Sequence, residues 1–250
     1  MSIHPPIYEQ DLRINAFECD YTHYWKPSAA YQHLTEIAGT HAIQLGFGYQ
    51  EMLTKEYFWV LSRFKIQFHT YPKHDELVWV LTWPKTIQQK LFFIRDFQVE
   101  SEKGELLASA SSAWLVIDTN NRRMIPTTRL DLDLPNLPER SALDDPLDKI
   151  LIPENTQEKF QVTANYSDLD IMGHVNNGRY VEWIANSFPI DTYQTKRPAS
   201  IQVNYISEVK PGEQVSIRTS ACGMDCTVIE GVNLNSNTRA FEARVEWMLD

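Results

Sequence analysis

Cysteine is scarce in this chain: there are three among 250 residues, at Cys19, Cys222 and Cys226. So few, and an odd number, exclude a scaffold built on disulfides. No Cys-x-x-Cys pair or nearby histidine completes a tetrahedral metal site around Cys222 and Cys226, so these read as buried or half-buried thiols and no metal is expected. Positive charge is also in deficit, with 23 Lys and Arg against 33 Asp and Glu and a net charge of −10. That balance excludes a general affinity for nucleic acid or for an anionic membrane surface, both of which need a basic face. No apolar run approaches the roughly 18 residues that a spanning helix requires. The opening "MSIHPPIYEQDLRINAF" has no basic patch ahead of an apolar core, so it does not read as a secretory signal, and the expected location is the cytoplasm. What remains, 43% hydrophobic and 22% charged, is the composition of a folded protein long enough for one large domain or two ordinary ones.

The chain repeats its own pattern, residues 12–118 against 160–249. Each half opens with a short strand signal, "INAFECDY" and "KFQVTANY", followed by one amphipathic helix. The helix faces carry Tyr31, Leu34, Ala38 and Leu45 in the first half and Val181, Ile184, Ala185 and Phe188 in the second. Only strands follow. "RFKIQFHTY" alternates at period two through Phe64, Ile66 and Phe68, as "SIQVNYISEV" does through Ile201, Val203 and Tyr205. Each half closes with two long strands, "KLFFIRDFQVE" and "LLASASSAWLVID" against "CTVIEGVNLN" and "TRAFEARVEWML", which place Trp114 and Trp247 at equivalent positions. Gly104-Glu105 and Asn235–Asn237 supply the hairpin turns. A strand, a helix and a meander make an α+β unit in which an antiparallel sheet wraps one long helix, here twice in tandem. The domains are read as 1–123, a proline-rich and acidic linker over 124–158, and 159–250.

The chemistry is concentrated in "YSDLDIMGHVNNGRYVEW", residues 166–183. The second helix is expected to begin near Gly173-His174, which would put Asp168, Asp170 and His174 at a helix N-terminus, where free N–H groups and the dipole can receive an oxyanion. Asp168, Asp170, Asn176 and Asn177 are also ordinary capping residues, and that alternative stays open from the residues alone. The first half starts its helix at Pro27-Ser28 without a Gly-His pair, so the pair exceeds what a helix start needs. His33 and His41 read as packing or surface groups on the first helix, and Tyr180 and Trp183 as core aromatics.

"SDLDIMGHVNNGRYVEW" is similar to the motif of the acyl-acyl carrier protein thioesterases, and the tandem pattern resembles their double hotdog fold. "LTEIAGTHAIQLGFG" and "FKIQFHTYP" in the first half extend the resemblance to nearly the whole chain. It implies a hydrolase that releases free fatty acid from acyl carrier protein and so ends fatty acid synthesis, with no cofactor. The family's catalytic aspartate, histidine and glutamate match Asp170, His174 and Glu208, with the N–H groups of Gly173 and His174 as oxyanion donors and Asn176 and Asn177 as supporting groups. Glu208, helped by His174, would activate water while Asp170 fixes the loop; Asp170 as a nucleophile is the alternative. Two positions depart from the plant pattern: Met172 stands where many plant members carry asparagine, and Val209 where they carry cysteine.

With the acid and histidine set in one repeat only, one active site per chain is expected, the first repeat holding the acyl chain near Leu34, Ile37 and Leu45. Depth would then select chain length, at about 0.8 kcal/mol per buried methylene. Acyl carrier protein is the expected partner, docked near Arg179, Lys196 and Arg197 or at Arg122-Arg123, and a homodimer is compatible with this reading. Rival readings are an acyl-CoA thioesterase, a hotdog dehydratase and a non-catalytic acyl-binding module.

Overall fold

The computed structural model describes residues 6–130, 132, 134–145 and 147–249. Residues 1–5 of the N-terminal segment and 131, 133 and 146 of the expected linker lie outside the described residues. The chain divides into two compact units, one made of the residues up to Trp25 with Gln32–Leu147, the other of Lys26–Tyr31 with the residues from Asp148 onward.

The strands of the first unit are β1 (Tyr8–Arg13), β2 (Tyr57–Phe68), β3 (Leu77–Gln88), β4 (Phe92–Ser101) and β5 (Leu106–Asp118). They lie in the order β1-β3-β4-β5-β2, with antiparallel neighbours throughout. The second unit has β6 (Gln157–Thr163), β7 (Lys196–Tyr205), β8 (Gln214–Gly223), β9 (Cys226–Asn233) and β10 (Thr238–Leu249) in the corresponding order, β6-β8-β9-β10-β7. The tandem α+β hotdog arrangement expected from the sequence is therefore the one observed. The period-two residues Phe64, Ile66, Phe68, Ile201 and Val203 are all buried, as a sheet with one face on a core requires. Gly104 and Asn237 take the left-handed conformation at the β4–β5 and β9–β10 turns. Trp114 faces Leu61 at a bulge between β5 and β2, and Trp247 faces Pro198 at a bulge between β10 and β7.

The α-helices are α1 (Pro27–Gln44), α2 (Tyr49–Thr54) and α3 (Asn177–Asn186). On α1 the residues Leu34, Ile37, Ala38 and His41 are buried, while Leu45, just past its end, is only half-buried. His41 belongs to the core: its Nδ1 lies 3.0 Å from Arg95 Nη1 on β4, and the Tyr8 ring stacks on it at 5.6 Å. His33 is hydrogen-bonded to Glu18; burial pushes that carboxyl up, and the hydrogen bonds from His33 and Asn15 outweigh it and hold the group below its usual range. On α3 the buried face is Tyr180, Val181, Trp183 and Ile184, with Tyr180 packed edge-on against Phe241 of β10 at 5.3 Å. Two expectations need correction. Ile14–Tyr21 is not the first strand, which lies upstream at β1, and α3 is a short helix of 10 residues beside the 18 of α1.

The proline-rich segment is not a loose spacer either. Leu137 N donates to Pro84 O at 3.0 Å, Trp83 Nε1 to Arg140 O at 3.1 Å and Ala142 N to Asp96 Oδ2 at 2.8 Å, with Leu143 and Leu147 buried. Asp96 is wholly buried and must be paired; Ser111 Oγ at 2.7 Å and Lys85 Nζ at 3.2 Å complete its shell. The segment is thus strapped to the first unit through Leu147, and the boundary falls there rather than across all of 124–158. The cysteine reading is also overturned. Cys222 and Cys226 form a disulfide across the β8–β9 hairpin, where the turn brings their Cα atoms to 5.1 Å, inside the range a disulfide spans. Of the three, Cys19 is the one outside a disulfide.

Candidate active site

The loop between β6 and α3 is built by side chains that satisfy its own backbone. Asn165 N donates to Asp168 Oδ2 at 2.8 Å, closing a short 3-10 turn. Asp170 Oδ1 then accepts Met172 N at 2.8 Å and His174 N at 3.4 Å, while Gly173 N reaches Asp170 O at 3.0 Å and Asp170 N reaches His174 O at 2.9 Å. Gly173 sits at φ +76°, the left-handed conformation this tight turn requires. Val175 N donates to Val209 O at 3.0 Å, tying the end of the loop to the segment that follows β7. Asn176 caps α3 by accepting Gly178 N at 2.8 Å, so the helix starts at Asn177, later than the sequence suggests. The N–H groups of Gly173 and His174 are therefore occupied inside a turn and do not form a helix N-terminus.

This geometry brings His174 and Glu208 together, with Nε2 and Oε2 at 3.3 Å. Their side chains are 24% and 47% exposed, so the pair is open to water and to a ligand. A histidine and a carboxylate in that relation can hold a water molecule and move its proton. Asp170 does not join them through its Oδ1, which is spent on the turn. Asn176 is a cap, and the Asn177 carbonyl accepts Tyr205 Oη at 3.2 Å. The three basic residues expected to dock a partner are committed within the second unit. Arg179 binds Glu182 at 2.6 Å, the Ser167 carbonyl at 2.7 Å and Asp168 at 3.6 Å; Lys196 binds Asp225 at 2.5 Å; Arg197 is buried. Arg122 lies over the Phe58 ring at 5.1 Å.

The first repeat holds the same loop with different chemistry. Asp20 Oδ1 accepts Thr22 N at 2.8 Å and Tyr24 N at 3.2 Å, His23 takes the left-handed conformation at φ +68°, and Trp25 N donates to Pro72 O at 2.9 Å. Bond for bond, Asp20 matches Asp170, His23 matches Gly173, Tyr24 matches His174 and Tyr71 matches Glu208. Where the second repeat pairs imidazole with carboxylate, the first sets two tyrosine rings edge to face at 6.4 Å. The sequence comparison of Gly173-His174 with Pro27-Ser28 is therefore out of register, since Pro27-Ser28 corresponds to Asn177-Gly178. The glycine is explained by the turn; the histidine is not. Met172 matches Thr22, whose hydroxyl adds a 2.6 Å bond to Asp20. Methionine keeps the backbone half of that brace and gives up the side-chain half.

Comparison with known proteins identifies the family. The acyl-ACP thioesterase N-terminal domain matches residues 5–129 and the acyl-ACP thioesterase C-terminal domain residues 152–248. A palmitoyl-acyl carrier protein thioesterase of Cuphea hookeriana is 26% identical over 215 residues, 81% of this chain and 52% of that protein. The chain thus spans about half the length of the curated relative it matches. The crystal structure of an acyl-ACP thioesterase from Bacteroides thetaiotaomicron superposes with a TM-score of 0.89 at 30% identity, covering 97% of this chain and 98% of that one. The 12:0-ACP thioesterase of Umbellularia californica, at 22% identity, shares the fold with a TM-score of 0.83 over the whole of both chains. With both domains matched in order, and a solved relative aligned almost end to end, the chain belongs to the acyl-ACP thioesterase family.

Proposed function

We propose that this protein hydrolyses the thioester of fatty acyl-acyl carrier protein. The observation that carries the reading is the 3.3 Å His174–Glu208 pair, set on a loop whose twin in the first repeat bears Tyr24 and Tyr71 instead. Glu208 and His174 take a proton from water, the resulting oxygen attacks the thioester carbonyl carbon, and the tetrahedral intermediate collapses by breaking the C–S bond. The thiol of the carrier's arm leaves with the proton, and the acid is released as the carboxylate. Negative charge developing on the carbonyl oxygen is assigned to the N-terminal end of α3, which begins at Asn177. With valine at position 209, no thiol follows the glutamate, and water is the nucleophile that fits.

Thiol release from a panel of acyl-carrier and acyl-CoA thioesters tests this reading. Wild-type protein is expected to turn over the carrier-bound substrates with the higher kcat/KM, and Glu208→Gln to lose about two powers of ten in kcat. Stoichiometric acyl binding without thiol release would make the protein an acyl-binding module. Faster turnover of the CoA thioesters would move the substrate assignment to CoA.

A further inference from the structure

We infer that Tyr205 is a positioning residue for the His174–Glu208 pair, its hydroxyl fastening the strand that leads to the glutamate onto the helix that follows the histidine; this rests on the hydrolase reading above. Tyr205 is the last residue of β7, three before Glu208, and Asn177 is the first residue of α3, three after His174. The Tyr205 hydroxyl donates to the Asn177 carbonyl at 3.2 Å. A carbonyl has two lone pairs, so Asn177 O can take this bond and still serve its own helix. A second bond joins the same two segments closer in: Val175 N, one residue after His174, donates to Val209 O, one residue after Glu208, at 3.0 Å. The glutamate's segment is also pinned to β10, where Ile206 N and Ser207 N reach Ala240 O at 2.9 and 3.1 Å. One bond between two segments leaves them free to pivot about it, and a second removes that freedom. The histidine and the glutamate thus stand on segments fastened to each other at two points, and the outer fastening is the tyrosine hydroxyl.

The Tyr205 ring packs edge-on against Tyr180 at 5.6 Å. Burial first, and then the neighbouring Tyr31, push its phenol well above the usual range, so it stays protonated and a donor. The first repeat again supplies the contrast. Counting back from Tyr71, which matches Glu208, the residue in the place of Tyr205 is Phe68. Phe68 is buried and its ring stacks on Tyr71 at 4.1 Å, with no hydroxyl to offer. The backbone fastening is kept there, from Trp25 N to Pro72 O at 2.9 Å. What the loop needs in order to fold is therefore present in both repeats, and the hydroxyl stands in the repeat where an imidazole faces a carboxylate.

The test is Tyr205→Phe in the full chain, which removes one oxygen, keeps the packed ring and installs the residue of the first repeat. Tyr193→Phe is the control, since it deletes a bond of the same kind at the other end of α3, where Tyr193 Oη donates to Ala185 O at 2.8 Å. For Tyr205→Phe, kcat is expected to fall roughly tenfold or more, as it does when reacting groups are misplaced, with KM within about twofold. Tyr193→Phe should leave both at wild-type values. Amide hydrogen exchange at Gly178, whose N–H closes the cap of α3 on Asn176 Oδ1 at 2.8 Å, should accelerate in Tyr205→Phe and stay at the wild-type rate in Tyr193→Phe. The exchange readout does not need turnover, so it decides whether Tyr205 holds the start of α3 even if the wild-type protein releases no thiol and the hydrolase reading fails. Wild-type exchange at Gly178 in Tyr205→Phe, an equal loss of kcat in both variants, or a rise in KM with kcat unchanged would overturn the positioning role.

Discussion

His174→Ala is expected to lower thioester hydrolysis by at least about a hundredfold, the usual contribution of a positioned acid or base, while the protein stays folded. The fold is spared because the loop is held through backbone atoms. The N–H of His174 reaches Asp170 Oδ1 and its carbonyl accepts Asp170 N at 2.9 Å, and an alanine supplies both groups. The imidazole itself is partly exposed, and its Nε2 lies 3.3 Å from Glu208 Oε2. Its removal opens no core cavity of the kind that destabilises by several kcal/mol. His174→Tyr is the sharper companion, because it installs the residue that the first repeat carries at Tyr24 on an otherwise matching loop. Both variants should bind acyl substrate with near wild-type KM. Near-normal hydrolysis by His174→Ala would sink the assignment, whatever the other residues did.

At Asp170 a second large effect should split by chemistry. Asp170→Asn is expected to keep activity within about tenfold of wild type, while Asp170→Ala should lose about a hundredfold, since an amide oxygen can accept the same turn bonds and a methyl group cannot. The reason lies in the first repeat. Asp20 makes the same bonds to Thr22 N and Tyr24 N in a loop that carries Tyr24 and Tyr71 at the places of His174 and Glu208. An aspartate kept where there is no chemistry is a brace. If Asp170 were instead the nucleophile of an acyl-anhydride route, Asn and Ala would be equally inactive, and a trapped acyl-enzyme would be seen by mass spectrometry in the wild type. Stopped-flow thiol release on the three proteins separates the two cases.

What the sequence shows well is what depends on neighbours a few residues away. The alternation through Phe64, Ile66 and Phe68 places one face of β2 in the core, and β5 and β10 begin and end where the apolar runs do. The start of α3 is harder, because the turn before it is made by a side chain, Asp170, folding back on the backbone, and Gly173 is spent on that turn. The helix starts are therefore a poor register mark between the repeats, and the match of His174 with Tyr24 does not follow from them. The aspartates of "DYTHY" and "DIMGH" carry that register. The strap and the hairpin disulfide are not legible in this way. The partner of Ala142 N is Asp96 on a distant strand, and the Cys222–Cys226 distance depends on how tightly the β8–β9 hairpin turns.

The strap has a consequence for protease susceptibility. A proline-rich, acidic stretch between two domains is ordinarily where a protease cuts first. Here its backbone is engaged at Leu137 and Ala142, and Leu143 and Leu147 are buried, so that stretch is shielded. The open bonds lie just beyond it, around Leu151, Glu154 and Asn155, where the side chains stand in solvent. Limited digestion should therefore yield two fragments that meet near residue 152, the larger keeping the strap on its sheet. Asp96→Ala, by releasing Ala142, should move the first cut back into the proline-rich stretch.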